Sequence, residues 1–237
     1  MVSVALGPGL AMLLLWAVLR RYEGALNERH LFIALFTGMV LGLVAFLFHG
    51  LLDPVIFPPG VFGFLVFVVG FAVLETMMLF VVLNSRWVRG EPQAAFTGVA
   101  LGAGFSASGV MALTYGAAAP PSAALSPLGL LSITGVAAAS TLFRLSAGAI
   151  LGIGSATSTP WPSAAKAFLA QIPFGALFML LYYAGVYYEM WLWVPILLTL
   201  VGYAAWLARF VTRFSLPEFL PGEVKRRVRR ERRRPGR

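Results

Sequence analysis

Residues able to do chemistry are scarce in this chain. There is no cysteine, which removes thiol catalysis, disulfides and cysteine-based metal sites together. His30 and His49 are the only imidazoles, too few for a dedicated zinc site. Two ionisable residues, Glu75 and Arg144, stand inside long apolar runs. If those runs cross a bilayer, each charge costs about 2.5–3.5 kcal/mol on insertion scales, so each is a candidate for function. Glu75 could act as a catalytic or ion-handling carboxylate, and Arg144, of opposite sign, could hold and tune it.

The surrounding sequence requires a membrane. Of 237 residues, 59% are hydrophobic and 11% charged, and mean hydropathy is +0.86. Soluble domains carry roughly 25% charged residues, and a soluble globule with so few would expose large apolar patches. Gly 25 and Pro 15 are not periodic, which excludes collagen-like and low-complexity chains. The fold class is therefore all-α, a polytopic membrane helix bundle. Seven stretches are long enough to cross, near 2–19, 31–51, 61–84, 93–115, 128–153, 163–186 and 190–211. Pro58-Pro59, Arg86 to Pro92, Pro120-Pro121, Pro160 to Pro162 and Glu189 break them.

Orientation follows from the cations. With seven spans, Arg20, Arg21, Arg29, Arg86, Arg89, Lys166, Arg209 and Arg213 all fall on one side, together with the carboxyl-terminal tail. The positive-inside rule then places the amino terminus outside and the carboxyl terminus in the cytoplasm of the cell membrane. The expected organisation is a transmembrane bundle over 1–214 and a basic cytoplasmic tail over 215–237. Gly98-x-x-x-Gly102 and Gly148-x-x-x-Gly152 predict close helix packing in the fourth and fifth spans.

This topology gives Glu75 and Arg144 a common depth. Each lies about nine residues from the cytoplasmic end of a span running from outside to inside, so the two are expected to pair. The pair reads either as a buried salt bridge that fixes helix register or as a carboxylate with its tuning cation. His49 and Asp53 lie one helical turn apart at the outer end of the second span, where they could face one another. Two ligands do not make a metal site, and neither a metal nor a cofactor is expected.

The order of further features resembles a known family. Ala5-Leu-Gly-Pro8-Gly-Leu opens the first span, Arg20-Arg-Tyr-Glu23 follows it, and Phe36-Thr-Gly38 lies in the second. Then come Leu74-Glu75-Thr76, the run Phe96-Thr-Gly98 to Gly109, Arg144-Leu-Ser-Ala-Gly-Ala-Ile-Leu-Gly152, and Gln171-Ile-Pro-Phe174-Gly-Ala-Leu-Phe178. Over roughly residues 1–185 this series resembles the PrsW group of intramembrane glutamic proteases, relatives of the CAAX prenyl endopeptidases. The resemblance implies a catalytic centre built from a Glu-Glu pair with a following Lys, a later Glu and two His positions. Of these only Glu75 is present. Thr76 stands for the second Glu, Leu79 for the Lys, Gly109 for the later Glu, Arg144 for the first His, and Phe174 and Phe178 for the second His and its following Asn. The resemblance thus implies the fold and a pseudoenzyme, its former active-site cavity lined by Thr76, Gly109, Phe174 and Phe178. An intramembrane hydrolase using Glu75 is the alternative.

The tail reads KRRVRRERRRPGR from Lys225 to Arg237 and carries nine of the chain's 18 Lys and Arg residues. Lys225, Arg226, Arg227, Arg229, Arg230, Arg232, Arg233 and Arg234 could bind anionic lipid headgroups, each cation contributing about 1 kcal/mol near the surface. The alternative is that they grip the phosphates of RNA or a ribosome. The expected partners are therefore the anionic bilayer surface, another membrane protein, and, through the tail, ribosome or RNA. A seven-helix photoreceptor is excluded, because residues 190–211 hold no lysine for a Schiff base.

Overall fold

The computed structural model describes residues 2–22, 26–56, 60–91, 93–116, 127–187 and 190–219. Every regular element among them is helical. The helices are α1 (Val2–Leu19), α2 (Glu28–Ile56), α3 (Val61–Leu65), α4 (Phe71–Leu83), α5 (Ala94–Gly116), α6 (Pro127–Ala156), α7 (Pro160–Tyr187) and α8 (Met190–Phe210). A π-helical turn, Val66–Gly70, joins α3 to α4 as one rod, and a second, Val211–Ser215, extends α8. Among the described residues, six segments are long and apolar enough to cross a membrane: Glu28–His49, Phe62–Leu83, Ala94–Met111, Leu131–Ala156, Pro160–Leu181 and Leu192–Arg213. Gly7–Leu19 is a shorter apolar helix. The chain is a multi-pass helical membrane protein.

Helix α5 is the hub. It packs against α6, α2 and α1, and α6 in turn carries α7 and α8. Lipid supplies no hydrophobic drive between helices, so close backbone approach has to supply the packing energy. The α5–α6 seam shows how the sequence does this. Gly98 faces Gly148, and a Cβ on either would overlap the other's carbonyl oxygen. One turn further, a Cβ at Gly102 would overlap the carbonyl oxygen of Arg144. The small residues therefore do more than fill space, since they set the position of the α6 turn that carries Arg144.

Large apolar side chains point outward along the outer helices, as in Trp16, Phe36, Phe62, Leu169 and Leu198, which suits a lipid surround. Packing runs past residue 214, where Leu216 is fully buried against the core around Val211. Of the tail, Lys225, Arg226, Arg227, Arg229, Arg230, Arg232, Arg233 and Arg234 lie outside the described residues.

Candidate functional site

Four helices bring polar side chains to one buried point. Glu75 projects from α4, Arg144 from α6, Gln171 from α7 and His49 from α2. Arg144 Nη2 donates to Glu75 Oε1 at 2.6 Å, with side-chain exposures of 15% and 6%. Gln171 Nε2 donates to Glu75 Oε2 at 2.5 Å, and Thr76 Oγ1 donates to Gln171 Oε1 at 3.3 Å. Both carboxylate oxygens are thus engaged, each by a donor from a different helix. Charge-assisted bonds of this kind are about twice as strong as neutral ones.

Arg144 is held on its other side by aromatic surface. Its guanidinium carbon lies 5.1 Å from the centre of the Phe105 ring, a cation–π distance. Arg144 Nε is buried and has no hydrogen-bond partner among the described residues. The guanidinium therefore depends on Glu75 for its charge compensation.

The sequence places His49 at an outer rim opposite Asp53. In the structure α2 continues to Ile56, so His49 sits two turns inside the helix end and turns toward Glu75. Its Nε2 is 3.7 Å from Glu75 Oε1, and its ring lies 3.6 Å from that of Phe71. The Asp53 side chain lies outside the described residues. Among those residues no group of three His, Cys, Asp or Glu side chains is placed to hold a metal ion. The π-helical turn immediately precedes Phe71 and sets both Phe67 and Phe71 against His49. Such bulges are frequent at functional sites.

Gln171 enters the sequence reading only as part of a motif, and its role in the site is a finding of the structure. One signal was present: it is a lone amide in the apolar stretch Ala167–Phe178, where an unpaired polar group in lipid is costly. Beside the network lies a cavity of about 50 Å³, bordered by His49, Glu75, Ser140, Arg144, Gln171 and a wall of phenylalanines. A water needs ~10–15 Å³ of such space, so there is room for a few waters and not for a peptide segment. Phe174 and Phe178 are part of that wall. Phe174 stacks on Phe143 at 4.2 Å between ring centres, and Phe178 lies parallel to Phe67 at 6.2 Å. Thr76 reaches the network through Gln171, whereas Gly109 does not border the cavity. Comparison of the chain with protein-family models, curated proteins and solved structures gives no match, so the reading of this site rests on its own geometry.

Proposed function

We propose that this chain is a seven-span protein of the cell membrane with a PrsW-like bundle. Its intramembrane carboxylate serves architecture rather than hydrolysis, and it works as a scaffold or partner-binding subunit for another membrane protein. One observation carries the reading: both oxygens of Glu75 are occupied by Arg144 and Gln171. Each oxygen is committed to a contact that joins α4 to another helix, so using either as a base would loosen the bundle, and the transition state needs a second group to polarise the peptide carbonyl. The amino terminus faces outward, and the Arg-rich tail meets anionic headgroups in the cytoplasm.

Topology is tested on a chain that contains no native thiol. A cysteine in place of Arg86 should react with an impermeant maleimide only from the cytoplasmic side, and one in place of Gly60 only from outside. Both positions are exposed in the structure. Labelling of both from the same side sinks the seven-span arrangement.

Hydrolysis is tested with the full chain in nanodiscs and a panel of transmembrane peptides. Cleavage should be equal, at background, for wild type and Glu75→Ala. A second reading, an intramembrane hydrolase, is favoured by His49 lying 3.7 Å from Glu75 beside the cavity. Cleavage lost in both Glu75→Ala and His49→Phe would establish that reading in place of the first.

A further inference from the structure

A second recess lies between the first two helices, apart from the residues around Glu75. Helices α1 and α2 both lean on α5, and between them they leave an apolar groove of about 380 Å³. Leu15 and Leu19 line one wall, and Leu31 and Leu35 the other. The lining runs from Met12 to Leu19 on α1 and from Glu28 to Leu35 on α2. At 1.5 Å per residue that is about 10 Å of depth, a large part of one leaflet's hydrocarbon half of about 15 Å. Trp16, 57% exposed, stands on its rim.

Two charges of opposite sign stand at one end of this groove. Arg20 follows the last residue of α1, and Glu28 is the first residue of α2, so both lie where the first helix gives way to the second. The Arg20 guanidinium is set over the Trp16 ring, 5.0 Å from its centre. An acyl chain entering the groove from the bilayer gains almost no hydrophobic free energy, because lipid is as apolar as leucine. Selectivity must therefore arise at the charged end. Arg20 suits a phosphate, which a guanidinium grips through paired hydrogen bonds. Glu28 disfavours a purely anionic headgroup and suits a primary ammonium, which donates hydrogen bonds that a quaternary one cannot.

We infer that the α1–α2 groove binds an aminophospholipid of the phosphatidylethanolamine type, one acyl chain between the helices, phosphate on Arg20 and ammonium on Glu28. The complement is specific in sign, since the headgroup carries one anionic phosphate and one primary ammonium.

The test is native mass spectrometry of the full chain, purified in micelles containing equal amounts of phosphatidylethanolamine, phosphatidylcholine and phosphatidylglycerol. Wild type should retain the ethanolamine lipid about tenfold over phosphatidylglycerol, the ratio that one charge-assisted bond supports. Glu28→Gln should abolish that preference while keeping overall retention. Arg20→Gln should lower retention of all three lipids. Both residues are exposed, so the variants should keep the wild-type unfolding midpoint, which is measured alongside. Equal retention of phosphatidylglycerol by wild type overturns the assignment, as does a preference that persists in Glu28→Gln.

Discussion

Glu75→Gln should lower the stability of the bundle by about 3–5 kcal/mol, the cost of leaving one member of a buried ion pair alone. The stranded partner is Arg144, whose Nε already has no hydrogen-bond partner among the described residues and whose other neighbour is the Phe105 ring. The reverse change should cost less. In Arg144→Met, Glu75 keeps the Gln171 amide on Oε2 and has the His49 imidazole 3.7 Å away. Combining Glu75→Gln with Arg144→Met removes both charges at nearly conserved volume and should recover most of the loss. Unfolding of the purified protein in mixed micelles measures all three. A double variant no more stable than Glu75→Gln would mean that the 2.6 Å contact contributes nothing. Equal costs for the two single changes would remove His49 and Gln171 as secondary support.

A second large effect should come from a single methyl group. In a helix interior Ala is favoured over Gly by about 1 kcal/mol. At Gly202, where a Cβ meets nothing within 4 Å, Gly→Ala should follow that rule and stabilise slightly. At Gly102 the sign should reverse, with a loss of about 3 kcal/mol or more, because the new carbon lands on a backbone carbonyl that no rotamer change can move. That carbonyl belongs to Arg144. Gly102→Ala should therefore also break the ion pair, and adding Glu75→Gln to it should cost less than Glu75→Gln costs in wild type. Full additivity in the unfolding midpoints would show that the seam and the site are independent.

Much of this architecture is legible in the sequence because lipid imposes simple rules. Apolar runs of about 20 residues broken by proline or charge locate the long helices to within a few residues, as comparison of 128–153 with Pro127–Ala156 shows. The Glu75–Arg144 pair follows from two isolated charges of opposite sign at one depth. The Gly98 and Gly148 spacings point to close seams, and the structure sets these two residues against each other. What the sequence hides depends on helix length and rotation. Apolarity ends near residue 51 while α2 continues to Ile56, so His49 reads as a rim residue although it lies inside. Gln171 carries no charge, and hydropathy alone does not separate a network amide from a lipid-facing one. The order of motifs aligns Gly109 with the family's site, and in the structure Gly109 is not among the residues that border the cavity.

The burial of α5 bears on how the protein comes to be in the membrane at all. Its span, Ala94–Met111, is the least apolar of the six and is almost wholly buried inside the protein. Glu28–His49, among the most apolar of the six, is mostly exposed on the outside of the bundle. The segment least able to partition into lipid by itself is thus the one that touches lipid least. Its partners α1 and α2 leave the ribosome before it and α6 after it, so the helix is enclosed from both directions of synthesis. Residence of α5 in the bilayer is consequently a property of the assembled bundle, and a chain stopped before α6 would present to lipid the face of Gly98 and Gly102 that in the folded bundle meets the backbone of α6.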